Sequence, residues 1–450
     1  MKFSNLWKIE HSPRTFLWVI IGFVFFVIAC YPGFMSPDSL EQYKQAHTLQ
    51  FADGHPPVMA WLWSKLNLIF DGPQSLLFVH LGMLWIGLYI WHRNAGENHS
   101  AKWFILLGFF PWVVNFEGVL WKDVGMAFSM LLAIGLLSRS KITFPQGFVA
   151  VSLLLYAFMV RSNAPAALLP IVWYATGRLL PMLSNRIKVA ITSLLMVMMF
   201  VFLNFFNYQL LSAEKNHMDS YMMVDDLVHL SEVADKSLLP RIDYKTVKEC
   251  SQETIGDTKL VGRLFCLITK PSYQNVAPIP YEEIKKAWVA AVKVYPLEYA
   301  QFRLNAYLYL LRDPSEKPYI YWFSGISTNE IGLVQNDNAA TILLKGYVWS
   351  VAHLLPFLFK PYWWLTMASL FLCATFIMQG DDKDSLTLIR VLLISGLLYM
   401  FSYIPVTPMA DFRYVYWSTL AISLAAIKYA TSSLYFRFEW QDLRTKLHVD

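Results

Sequence analysis

The sequence predicts an all-α polytopic membrane protein with about 10 (10–12) transmembrane helices. Three observations lead there. Of 450 residues, 56% are hydrophobic and only 15% charged, against about 25% charged in a soluble domain. The mean hydropathy is +0.39. The 17 Trp and the 16% aromatic share suit aromatic belts at two membrane interfaces. The net charge of +5 is modest and no basic block stands out, so nucleic acid is not an expected partner.

Candidate spans, in chain order, are 15–33, 76–92, 102–116, 122–138, 145–161, 164–178, 187–208, 361–379, 385–403 and 414–431. Several fall short of the usual ~20 residues. Met1 to Arg14 followed by an apolar run has the shape of a signal sequence, and Val27-Ile28-Ala29-Cys30 loosely resembles a lipoprotein cleavage site. The many later spans favour an uncleaved first helix instead. Residues 57–70 and 339–359 carry polar groups among apolar ones and are read as helices along the interface. Cys30 and Cys373 lie in apolar runs and read as packing residues.

Lys and Arg in the short loops set the orientation. Lys2, Lys8 and Arg14 place the N-terminus inside. Arg93 and Lys102, then Arg139 and Lys141, then Arg178, Arg186 and Lys188, and finally Arg437, Arg444 and Lys446 all fall inside when there are ten spans. The domains that follow are an N-terminal module 1–208 with a first outer loop 34–75, a soluble outer domain 209–340, a C-terminal module 341–433 and a cytoplasmic tail 434–450. In the outer domain, Ile284, Trp288, Ala291 and Val292 repeat at a helix period, and Leu297 to Leu311 reads as a second helix closed by Asp313-Pro314. Cys250 and Cys266 are the two cysteines of this domain and are expected to pair in an oxidising compartment.

On this topology the polar residues gather at the outer ends. Asp38, Glu41, Tyr43, Asp53 and His55 lie in the first outer loop. Glu117, Lys122 and Asp123 sit between spans three and four, Arg161 and Asn163 end span five, and Asp411 and Arg413 precede span ten. Ionisable groups beside a bilayer are costly and point to a site. The chemistry that would use them is transfer from a lipid phosphate. Asp38 would act as general base on an acceptor hydroxyl. Lys122, Arg161 and Arg413 would hold a phosphate leaving group. His55 would bind sugar hydroxyls or phosphate, and Tyr43 would stack on a sugar face. Glu41, Asp53, Asp123, Asn163 and Asp411 are further candidates for substrate contact.

Plainer readings stand beside these. Asp38 after Ser36-Pro37 could cap a helix over 39–48. Lys122 could pair with its neighbour Asp123, Arg161 could snorkel to headgroups, and Arg413 could pair with Asp411. Trp112, Trp121, Trp349, Trp363 and Trp364 read as belt residues. The ten His show no zinc-like spacing. Asp38 with Glu41 offers a divalent cation two carboxylates, short of a site. No phosphate loop, nucleophile elbow or dinucleotide fingerprint is visible.

The order of one span, an outer loop with the acidic motif Ser36-Pro37-Asp38-Ser39, and His55-Pro56-Pro57 leading an interfacial helix resembles the C-type membrane glycosyltransferases. The likeness is to the branch holding protein O-mannosyltransferases and lipid A aminoarabinose transferases. Asp38 matches their acid in the first outer loop, and His55-Pro56-Pro57 their Pro-Pro helix. Trp121-Lys122-Asp123-Val124, Val160-Arg161-Ser162-Asn163-Ala164 and Asp411-Phe412-Arg413-Tyr414 look like motifs of related bacterial membrane proteins. The chain departs from the pattern in carrying Asp38-Ser39 where many relatives have an acidic pair, which leaves Glu41 as a second acid. The resemblance implies inverting transfer of a sugar from a polyprenyl-phosphate-linked donor. The acceptor would be an envelope glycan, lipid or protein such as lipopolysaccharide or O-antigen, on the periplasmic face of a bacterial inner membrane. The competing classes are a transporter or flippase for lipid-linked sugars, an O-antigen polymerase or ligase, and a non-catalytic assembly protein. A transporter should show repeat symmetry or broken helices at mid-membrane, and no repeat is visible.

Overall fold

The computed structural model describes residues 13–96, 98–253 and 260–436. Lys2, Lys8, Arg437, Arg444 and Lys446, on which part of the orientation argument rests, lie outside these residues. The protein is 69% helix. Strands among the described residues are one short antiparallel pair, Met378–Gln379 with Tyr435–Phe436.

The helices are α1 Pro13–Cys30, α2 Pro37–Thr48, α3 Val58–Asn67, α4 Gln74–Asn94, α5 Lys102–Leu106, α6 Pro111–Val114, α7 Lys122–Leu137, α8 Phe144–Val160, α9 Ala164–Leu179 and α10 Asn185–Asn204. Then come α11 Asp219–Ala234, α12 Tyr244–Gln252, α13 Arg263–Leu267, α14 Pro271–Gln274, α15 Tyr281–Val294, α16 Pro296–Leu311, α17 Ala339–Leu354, α18 Pro361–Ala374, α19 Lys383–Phe401 and α20 Tyr416–Thr431. Local chemistry starts many of them. Pro37 opens α2, where a missing N–H costs nothing. Thr143 and Gln146 form a reciprocal capping box on α8. Asn338 and Asp382 accept backbone N–H groups at the starts of α17 and α19.

Among the described residues, three helices are long and apolar enough to cross a membrane: Gln74–Asn94, Asn185–Leu210 and Lys383–Phe401. Arg14–Cys30 and Phe144–Val160 are shorter apolar helices. The run 102–116 is not one helix. It breaks into α5, a 3-10 turn and α6, because Pro111 forces Phe110 into extended backbone.

Helix α7 is the centre of the bundle. It is buried almost throughout and packs on α4, α8, α9 and α20. Its small residues admit bulky neighbours, as where Gly135 faces the Trp91 ring. The turns of the bundle sort to two ends. At one end Asn94 donates to the carbonyl of Gly135 and to Ser138, Arg178 donates to the carbonyls of Leu137 and Arg139 and pairs with Asp384, and Asn98 reaches Thr431. At the other end the loop after α1, the α6–α7 turn and the α19–α20 segment come together.

The segment between α10 and α17 has a core of its own around Leu227, Val247, Cys250, Cys266, Leu267 and Ile284. Cys250 and Cys266 are joined by a disulfide with Cα atoms 5.6 Å apart. The separate core ends early in α16. Tyr307, Leu310 and Leu311, and then Tyr321 to Ile326, pack on the main bundle. Two packing expectations fail here. Cys373 is exposed. Trp121 and Trp364 are buried, at 3% and 5% exposure, so they are core rather than belt residues.

Candidate functional site

The loop after α1 is fixed first. Gly33 takes φ +123°, and an added Cβ would collide with Leu120, so this turn requires glycine. Beyond it the Phe34 N–H donates to the Gly118 carbonyl and the Phe34 carbonyl accepts the Leu120 N–H, tying the loop to the α6–α7 turn. Ser39 Oγ donates to the Leu120 carbonyl, and the Trp121 indole donates to Ser36 Oγ at 2.7 Å. These contacts lock the first turn of α2 against the start of α7.

Asp38 therefore does not cap α2. Ser36 holds the cap position, and Asp38 is one residue inside the helix. Its Oδ2 takes Arg413 Nη1 at 3.0 Å, across 375 residues of chain. Its Oδ1 faces His55 Nε2 at 3.8 Å. Arg413 Nε also pairs with Asp411 Oδ2 at 2.9 Å, and its guanidinium lies 4.7 Å over the Trp121 ring. Lys122 Nζ donates to His55 Nδ1 at 2.7 Å. That bond fixes the neutral tautomer with its proton on Nε2, toward Asp38.

Beneath this layer lies a closed one. Asp123, 1% exposed, pairs with Arg161 Nε at 3.1 Å. Arg161 Nη2 donates to Tyr403 OH at 2.7 Å, and Tyr403 OH donates to Tyr399 OH. The Tyr414 ring joins the layers, with the Arg161 and Arg413 guanidinium carbons both 5.2 Å from its centroid. Asn163 donates to Ser402 Oγ at 3.1 Å, holding the end of α8 against the end of α19.

Electrostatics separates the groups. Burial pushes the Asp38 carboxyl up, but the cations, Arg413 above all, outweigh it and hold it at about 2. Burial and the adjacent Lys122 pull the His55 imidazole down to about 4, so the His55–Asp38 contact involves a neutral ring. Burial lifts Asp411 to about 6 against the pull of Arg413.

Asp38, His55, Lys122, Asp123, Arg161, Asp411 and Arg413, read from four separate turns, thus form one cluster. The other candidates lie elsewhere. Glu41 is exposed and accepts from Gln45. Tyr43 is not a free sugar platform: it is 8% exposed and packs edge-on to Trp63 and against His47. Asp53 is a tie, accepting Tyr208 OH at 2.6 Å and the Asn216 N–H at 2.6 Å. Glu117 is fully buried and takes the Trp85 indole. The plainer reading holds for Arg413 with Asp411. It fails for Lys122 with Asp123, because Asp123 goes to Arg161. It fails for snorkelling of Arg161, which is sealed inside. Arg161 is therefore a structural cation rather than a free hand for phosphate.

Tyr399 and Tyr403 do not stand out in the sequence, and Trp121 and Tyr414 read there only as a belt residue and as motif neighbours of the charged groups. One signal was present, because Trp121 and Tyr414 flank the charged pairs Lys122-Asp123 and Asp411–Arg413. His80 is a further buried group. It is fully enclosed in α4, its ring nitrogens have no hydrogen-bond partner among the described residues, and Gly125 and Tyr156 lie beside it.

As to metals, no group of three potential ligands among the described residues includes Asp38 or Glu41. The group that does occur, Cys250, Glu253 and Cys266, has its sulfurs in the disulfide. A cavity of about 40 Å³ lined by Asp225, His229, Glu232 and Arg263 has room for about three waters, too little for a sugar. Compared with protein-family models, curated proteins and solved structures, the chain gives no match.

Proposed function

We propose that the protein is a membrane glycosyltransferase that moves a sugar from a polyprenyl-phosphate-linked donor to an envelope acceptor. The supporting observation is the convergence of Asp38, His55, Lys122 and Arg413, from three separate turns, into a cluster that is only partly covered. The sorting of turns to two ends agrees with about ten spans and with all four charged turns on one face. A C-type fold, a bacterial inner membrane and a periplasmic site belong to the same reading.

In the reaction, the bond from the anomeric carbon to the phosphate oxygen breaks, and phosphate keeps the electron pair. The acceptor oxygen bonds to the anomeric carbon from the opposite face, which inverts it. The acceptor proton goes to Asp38. A carboxylate held at about 2 is a weak base, suited to a late proton transfer, when a cationic sugar has made the hydroxyl acidic. Arg413 fixes the direction of that carboxylate, and Lys122 meets the phosphate charge.

The test compares envelope glycans by mass spectrometry from a deletion strain carrying wild type or Asp38→Asn at matched membrane levels. Wild type should restore a sugar mass increment that the variant does not. Restoration by both would remove Asp38 from the chemistry. No change of glycan mass with either would end the transferase reading and favour transport or assembly.

A further inference from the structure

We propose that one phosphate-type oxyanion binds between Lys122 and His55, and that the imidazole takes up a proton as it binds. The inference rests on the transferase reading only in taking the donor to be anionic.

The cations of the cluster differ in how far their own partners already hold them. Arg161 is 8% exposed and committed to Asp123 and Tyr403. Arg413 is shared between Asp38 and Asp411 and stacked on Trp121. Lys122 forms no ion pair among the described residues, and its partner is a neutral imidazole nitrogen 2.7 Å away. An ammonium donating to a neutral ring makes a weaker bond than one donating to an oxyanion. An arriving phosphate oxygen therefore displaces His55 Nδ1 as the acceptor for Lys122.

The displaced Nδ1 then has a bare lone pair beside an anion. A proton on it becomes a second donor to that anion, while Nε2–H still points at the Asp38 carboxylate. The charged groups around the ring are Lys122 from the start of α7, Asp38 from α2, Arg413 before α20 and Arg161 at the end of α8. In the free protein burial, and after it the cations led by Lys122, keep the ring neutral. The bound anion offsets Lys122, and Asp38 then favours the charged ring. Binding and protonation support each other, as linkage requires.

The experiment is isothermal titration calorimetry of the full chain in non-ionic detergent. Farnesyl phosphate and inorganic phosphate are titrated separately, in buffers of different ionisation heat, over pH ~7.5 to ~6. Both probes themselves titrate in or near this range, the phosphate monoester near ~6 and inorganic phosphate higher, so the readout is the difference between wild type and His55→Gln, with His55→Asn as a second variant. Wild type should take up more protons than either variant. Its affinity should rise relative to theirs by up to about tenfold per pH unit, the limit for one linked proton. Lys122→Met should abolish binding. Binding of farnesyl phosphate alone supports a lipid-borne anion, and binding of both supports headgroup recognition. Equal proton uptake in wild type and variants would overturn the proton linkage and leave the transferase reading standing. Binding of neither probe by wild type would overturn both.

Discussion

Two of the molecule's long-range Asp–Arg pairs are built in opposite ways. In the segment between α10 and α17, Asp226 pairs with Arg303 at 2.7 Å with side chains 0% and 3% exposed. Asp226 also takes the Trp288 indole, and Arg303 also donates to the Met222 carbonyl. In the cluster, Asp38 and Arg413 keep 32% and 13% exposure, and among the described residues the second Asp38 oxygen faces a neutral imidazole at 3.8 Å. The first pair is closed on itself. The second leaves acceptor capacity directed at a partly open space. Closed pairs hold a fold, whereas open ones are available to a substrate, and this contrast can be measured.

The largest effect should come from opening the closed pair. Arg303→Ala leaves Asp226 buried without its cation and should cost about 3–5 kcal/mol, read as loss of thermal stability of the detergent-solubilised chain. Asp38→Asn, at the open pair, should cost less, about 1–3 kcal/mol, while losing transfer. If the two variants lost equal stability, the distinction would fail.

Next comes the covalent tie beside the closed pair. Cys250 and Cys266 close a loop with a separation of 16 residues, worth about 3 kcal/mol in the chain-entropy model. Reduction, or the double Ser variant, should lower the unfolding temperature and raise protease cleavage between α11 and α15. Contacts of Asp38 with Arg413 should persist, so binding of farnesyl phosphate should survive.

The third effect is one of pH. Asp411 is lifted to about 6 and Asp225 to about 6, burial being the first cause of each. Both bind protons more readily folded than unfolded, where a carboxyl sits near ~3.9. Stability contributed this way therefore grows as pH falls from above 6 toward 4. Asp38, held at about 2, behaves oppositely. Its contribution is present above the unfolded value and is lost only in strong acid. The melting temperature should rise on going from pH ~7 to ~5, and Asp411→Asn should remove part of that rise. A fall over this range that persists in the variant would contradict the raised Asp411.

The convergence of the charged turns was legible because alternating spans return every second turn to the same end. Partner choice was not. Lys122 and Asp123 are adjacent in sequence, but neighbours on a helix do not face each other. Asp123 turns inward to Arg161 while Lys122 turns toward His55. Tyr43 read as an exposed platform, but α2 packs on α3 and presses that ring against Trp63. Trp121 read as a belt residue because hydropathy locates an aromatic by depth along the membrane, not by the helix face it occupies. The break within 102–116 was written in Pro111, yet composition alone counted the run as one span.

A smaller effect tests how loop and helix are joined. Tyr208 OH donates to Asp53, two residues before His55. Tyr208→Phe removes one hydrogen bond and should cost about 1 kcal/mol. It should weaken farnesyl phosphate binding several-fold by loosening the His55 loop. Unchanged affinity would show that Pro56-Pro57 alone suffices to place the imidazole.

The smallest stability effect should be at Lys122. A partly covered cation with no ion pair is a cost to the fold, so replacing it with an apolar chain of similar length removes that cost. Lys122→Met should leave thermal stability unchanged or raise it by up to about 1 kcal/mol, while phosphate binding and transfer are lost. The equivalent change at the closed layer, Arg161→Met, should instead destabilise by about 3–5 kcal/mol, because Asp123 is left buried alone. A cation whose removal helps the fold and ends binding is kept for the substrate. If Lys122→Met proved as destabilising as Arg161→Met, the open layer would be structural, and the contrast between the two kinds of pair would dissolve.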